Sequence, residues 1–250
     1  MHAIWLTWQN EWMLMRLRKK TTRFMVLSAC LPILFALVYH TLQKSMGVFG
    51  LTVSFPVMLL SLYTIFWIPL FIFMTTADLF PGETAARTLK LTLLRPITRF
   101  QAFTGKMMAA ATAMGFLFVM LFFVSMACTY VESRTVDLSV GDWFGYMKAY
   151  LAAFFVMLAL FALFAWIAQW FQNPTGYMVF AILLYVAAKA LPFFSSVFSA
   201  FSLTSYSDWY VLWLSHSTGF TTLMNTFLFI FSWFVLFFSL GYLMFDRKEA

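Results

Sequence analysis

Long apolar runs separated by short polar breaks dominate the chain, and their spacing predicts helices that cross a membrane. Six runs stand out, at about residues 24–41, 51–76, 107–129, 149–171, 177–192 and 223–245. Most reach the roughly 17–25 residues that a helix needs to cross the hydrocarbon core, and the first and fifth are the shortest. A segment inside lipid must satisfy its own backbone polar groups, so helices are expected throughout. Pro69 falls well inside the second run and is expected to kink it, freeing a carbonyl that a neighbour must satisfy. The third run opens with Ala109, Ala110, Ala111, Ala113 and Gly115, small residues that permit close helix contact.

Residues 1–22 carry a different pattern. Trp5, Trp8, Trp12 and Met15 recur at three- and four-residue steps, which predicts one apolar face on a helix. Arg16, Arg18, Lys19 and Lys20 gather at its end, as suits an interfacial helix lying among lipid headgroups. The first twenty residues lack a continuous apolar core, so no cleavable signal peptide is expected. Residues 193–222, rich in Phe, Ser, Tyr and Trp, are too polar to span and too aromatic for a plain solvated loop. Re-entrant or interfacial helices on the outer face fit them best. The expected architecture is a single all-α polytopic domain over residues 1–250 with six transmembrane helices.

Composition agrees. The chain has 250 residues, 63% hydrophobic and 10% charged, with a mean hydropathy of +0.87. A soluble domain carries about 25% charged residues. The net charge of +7 would suit nucleic acid, but 12 of the 16 basic residues fall at 16–23, 87–106 and 247–248. That distribution matches cytoplasmic loops and anionic headgroups, and no basic and aromatic face is left over for a nucleic acid. It places both termini and residues 78–106 in the cytoplasm, with 42–50, 131–148 and 193–222 outside. Cys30 and Cys128 both sit inside predicted spans and read as small apolar residues rather than as a disulfide.

The stretch 78–106 is the most basic in the chain interior. Arg87, Lys90, Arg95, Arg99 and Lys106 stand against Asp78 and Glu83. Leu89, Leu91, Leu93 and Leu94 give it an apolar side, and Pro96 stops a helix at about Arg95. A short surface helix that a soluble partner can grip is expected, with Glu83 and Arg87 forming an exposed i,i+4 pair.

Glu83, then Arg87-Thr88-Leu89, then Leu93-Leu94-Arg95-Pro96-Ile97-Thr98-Arg99, then Gly105-Lys106 resembles the intracellular loop of ABC-2 type transporter permeases. Arg87 stands where that family usually has glycine. Gln9-Asn10-Glu11 with the following basic cluster resembles the family's lead-in to its first span. The resemblance implies the membrane subunit of an ATP-driven exporter in a plasma membrane, a bacterial one by expectation. Two copies, or this chain and a related permease, would pair, surrounded by membrane lipids. A cytoplasmic ATP-binding subunit would dock on Glu83, Arg87, Thr88, Leu89, Arg95, Pro96 and Arg99.

The chemistry absent from the sequence points the same way. Gly105-Lys106 is followed by Met107, and Phe100 stands where a phosphate-binding loop needs its first glycine. No cofactor is therefore expected in this chain, with ATP and Mg held by the partner subunit. His2, His40 and His216 have no ligand-like spacing. The spans carry no carboxylate at depth for ion coupling, and only Lys189 is ionisable there, a position where lysines commonly snorkel. Most of the 33 phenylalanines are ordinary lipid contacts, while Phe66, Phe71 and Phe73, with Lys189, are the candidates for a path between protomers. Aromatic richness favours a hydrophobic or amphipathic substrate, such as a peptide antibiotic or a lipid. The competing class is a non-transporting membrane sensor, or an immunity protein that sequesters an antimicrobial peptide.

The charge distribution predicts orientation directly. Single cysteines at Ser45, Ser139 and Ser207 should react with an impermeant thiol reagent in intact cells, whereas cysteines at Thr84 or Ala102 should not. The reverse labelling pattern would overturn the topology.

Overall fold

The computed structural model describes residues 2–46, 54–86, 98–132, 140–193, 203–214 and 219–247. The described chain is all-helical. It comprises α1 (His2–Leu17), α2 (Lys19–Met46), α3 (Phe55–Leu62), α4 (Ile68–Leu79), α5 (Pro81–Ala85), α6 (Arg99–Glu132), α7 (Val140–Ala168), α8 (Pro174–Ala190), α9 (Tyr210–Leu214) and α10 (Phe220–Arg247). A π-turn, Tyr63–Trp67, joins α3 to α4, and 3-10 turns cover Leu191–Phe193 and Leu203–Asp208.

Among the described residues, five stretches are long and apolar enough to cross a membrane: Lys19–Val38, Phe55–Ala85, Arg99–Tyr130, Gly141–Ala168 and Phe220–Arg247. The expected fifth span, Pro174–Ala190, has 17 residues. At 1.5 Å per residue its α-helical part reaches about 26 Å, just short of a ~30 Å core.

Local chemistry sets the boundaries. Asn173 caps α8 by accepting from the Thr175 N–H at 3.0 Å, with Pro174 in the first turn. Thr98 and Gln101 form a reciprocal box: the Thr98 N–H donates to Gln101 Oε1 at 3.1 Å, and the Gln101 N–H to Thr98 Oγ1 at 3.3 Å. This box starts α6 eight residues before the expected third span, so Lys106 lies inside a helix. Between α1 and α2 the chain breaks at Arg18, where the Thr22 hydroxyl donates to the Arg16 carbonyl at 2.9 Å.

The core forms around α7, whose Ala149, Ala152, Ala153, Ala159, Ala162, Ala165 and Ala168 are all buried. These small side chains let neighbouring helices approach closely. α10, α9 and α4 all pack against α7. Residues 203–214 turn inward rather than over the surface: Leu203, Trp209 and Tyr210 are buried, and Lys189 Nζ donates to Ser207 Oγ. Ser207 is itself buried, so a cysteine there would be shielded from reagent whichever side it faces. The topology measurement therefore rests on Ser45 and Ser139.

The second span departs from α geometry just ahead of Pro69, where the Ile68 N–H reaches back to the Tyr63 carbonyl. Proline has no N–H to give the carbonyl four residues earlier, which here belongs to Ile65. The Tyr185 hydroxyl of α8 donates to it at 2.8 Å. Pro32 inside α2 creates the same vacancy at Ser28, and the Tyr63 hydroxyl fills it at 2.6 Å. Each proline thus turns a self-contained hydrogen bond into a link between helices.

Tyr185→Phe should lower thermal stability in detergent by about 1–3 kcal/mol, the cost of orphaning a buried carbonyl. Pro69→Ala restores an N–H donor, so the same tyrosine change should cost much less in that background. A double-mutant cycle with no coupling would refute the link.

Candidate functional site

One face of α1 enters the protein. Thr7, Glu11 and Met15, spaced four apart, are buried, whereas Trp8 and Trp12 are half-buried and Trp5 is exposed. The expected tryptophan face is therefore offset: the inner row carries a threonine and a carboxylate because its neighbour is α6, not lipid. Gly105 of α6 makes this approach possible. A Cβ there would lie 2.7 Å from Thr7 Cγ2 and 3.0 Å from Thr7 Cβ. Trp8 Nε1 donates to Thr112 Oγ1 at 3.3 Å farther along the same contact.

The contact brings three ionisable side chains together. Lys106 Nζ lies 3.2 Å from Glu11 Oε1 and also pairs with Glu83 Oε1. Side-chain exposure is 1% for Lys106, 5% for Glu11 and 12% for Glu83, so the pairs are shielded from water. A second layer lies beside them: Arg18 and Lys20 reach Asp78 at 3.9 and 3.8 Å. Two carboxylates face one ammonium, and Arg18 adds a favourable field at Glu83.

A buried cluster of this kind contributes little net stability over an apolar packing, because desolvation offsets the attraction. It is nevertheless costly to break, since losing one member strands the others. It therefore fixes a unique register among α1, α5 and the start of α6. These are the two ends of the basic stretch and the helix that precedes the first span.

Glu83 corrects the sequence expectation. It is shielded rather than exposed, and it pairs with Lys106 of α6. Arg87, Thr88, Leu89, Arg95 and Pro96 lie outside the described residues. Arg99 opens α6, and its guanidinium donates to the Asp246 carbonyl near the end of α10.

The four path candidates do not share a surface. Phe71 and Phe73 are 1% exposed. Phe71 packs against Phe24, and Phe73 against Phe164 and Tyr185. Phe66 is exposed, and Lys189 is tied to Ser207. Phe66 lies within the π-turn and faces outward, while Phe71 and Phe73 face the core.

Glu11 and Lys106 were not among the sequence-predicted site residues. The signal available for them was an ionisable group within an otherwise buried helical row, which requires a partner of opposite charge.

A family model described as "ABC-2 family transporter protein" matches residues 10–250. No curated protein matches the chain.

Lys106→Met should destabilise the protein by about 3–5 kcal/mol, since it leaves two buried carboxylates facing each other. The triple change Glu11→Gln, Lys106→Met, Glu83→Gln should recover most of that loss in a detergent melting series. A triple variant no more stable than Lys106→Met would show that the cluster is not the cause.

Proposed function

The chain belongs to the ABC-2 transporter family, and we propose that it is the permease of an ATP-driven exporter whose ATP-binding subunit drives it through the Lys106 cluster. As a multi-pass membrane protein of this family it works with an ATP-binding subunit. In our reading a second permease copy or a related chain completes the transmembrane part. Both termini and residues 78–106 face the cytoplasm. ATP and Mg belong to the partner, and this chain carries out no hydrolysis.

The observation that carries the reading is the meeting of Glu11, Glu83 and Lys106 in one shielded cluster. Residues 87–97, between Glu83 and the capping box of α6, are the segment the partner grips. When two ATP-binding subunits close, that segment is displaced, and both of its ends meet at Lys106, which is paired with Glu11 of α1. Bonded carboxylates and ammonium pass a displacement on instead of absorbing it, because separating them inside the protein is costly. The displacement reaches α2 through the Arg18 turn and α10 through the Arg99 bond to the Asp246 carbonyl. The two halves then rock as rigid bodies and change access across the membrane.

A hydrophobic or amphipathic substrate fits this reading, since the described spans carry no row of ionisable groups suited to a small ion. Peptide antibiotics and lipids are the substrate classes to test first.

Glu83→Gln keeps the side-chain shape while removing its charge. The variant should insert in the membrane and retain its ATP-binding partner on purification. Substrate export should fall roughly tenfold, within the usual span of coupling energies, with partner ATP hydrolysis maintained. Asp137→Ala, in the predicted outer loop, is the control. Export equal to the control's would remove the cluster from the coupling path.

A further inference from the structure

A second feature involves the C-terminal end of α1. Between α1, α2 and α6 runs a cleft of about 440 Å³, and its lining changes character along its length. Arg16, Thr21 and Thr22 stand at one end, with Met25, Phe116 and Met120 farther along. No carboxylate lines it. Thr21 is 4% exposed, and Arg16 is open to solvent. From Thr21 to Cys30, the last α2 residue of the lining, are nine residues, or about 13–14 Å of helix. That is close to half of a ~30 Å hydrocarbon core, the depth of one acyl chain.

The charges are arranged to match. Arg18 and Lys20 are occupied by Asp78. Arg16, Lys19 and Arg23 make no ion pair among the described residues and are exposed. Beyond the Arg16 end the cleft walls are apolar. α2, with Val26, Leu27, Ile33, Leu34 and Leu37 exposed, presents a lipid-facing side next to the opening.

We propose that this cleft binds one anionic glycerophospholipid, its phosphate held by Arg16 and the Thr21 hydroxyl and one acyl chain laid between α2 and α6. The lipid completes the packing of α2, which touches the rest of the protein mainly through α6 and α1. A free phosphate would leave the apolar length of the cleft empty, and a zwitterionic lipid would bring a second cation to a site whose one charged lining residue is Arg16. The placement in the inner leaflet rests on the orientation proposed above. The occupancy itself does not.

The test counts lipids on the purified full chain by native mass spectrometry, after exchange into mixed phosphatidylglycerol and phosphatidylcholine micelles. One phosphatidylglycerol per chain should survive detergent stripping in preference to phosphatidylcholine. Arg16→Gln should reduce its retention roughly fivefold, the usual effect of one basic residue near anionic lipid. Lys19→Gln, outside the lining, should not. Ala29→Trp, which fills the apolar end, should abolish retention while Arg16 remains. Equal retention of both lipids overturns the proposal, as does an Arg16→Gln variant that binds like the parent. So does Lys19→Gln matching Arg16→Gln, which would indicate diffuse attraction in place of a site. The assay needs neither partner subunit nor transport, so its failure is separable from failure of the coupling reading.

Discussion

The ammonium of Lys106 joins three parts of the chain through charge. α1 precedes the spans, α5 ends the second span, and α6 begins the third. Apolar packing alone would let α1 slide along α6, because hydrophobic contact is non-directional. Gly105 allows the approach and Thr7 occupies the space, but Glu11 is the group that selects one position. The register of the whole cytoplasmic end, as proposed, follows from two charge pairs and one missing Cβ.

The same logic runs through the spans with neutral groups. Tyr63, Tyr150, Tyr177 and Tyr185 each donate to a main-chain carbonyl on another helix, at Ser28, Pro56, Phe164 and Ile65. Gln169 Nε2 does so to Gly241 at 2.8 Å. In lipid an unpaired carbonyl has no water to turn to, so helices that lose a bond at proline must pair across to a neighbour. Ser28 and Ile65 are the two acceptors that a proline four residues on leaves without a backbone donor, whereas Phe164 and Gly241 lie within regular helix.

How much of this could be read from the sequence differs by kind of information. Hydropathy located every described span, because span length and apolarity are properties of single segments. Pro69 also identified a carbonyl in need of a donor, since the defect is local. Tyr185 as the donor was not legible, because helix pairing is set by packing across more than a hundred residues. Glu83, Gly105-Lys106 and Glu11 each appeared as a separate motif. Their convergence did not, and an exposed Glu83–Arg87 pair was the natural local reading in its absence. Phe66, Phe71 and Phe73 were grouped as aromatic residues of one span, and burial separates them, because which sides of a span are covered depends on the helices packed around it.

The donors in these interhelical bonds are side chains, whereas the acceptors are peptide carbonyls. Any residue at position 246 would still offer Arg99 its oxygen, and any residue at 65 would still offer one to Tyr185. Sequence drift would therefore be constrained on one side of each contact only. Paired substitutions, the usual trace of two residues touching, would not accumulate at these joints. For Tyr185 the correlated position would be Pro69, four residues away from the atom it actually touches. A map of contacts inferred from correlated change would then draw the link one helical turn too far along the second span.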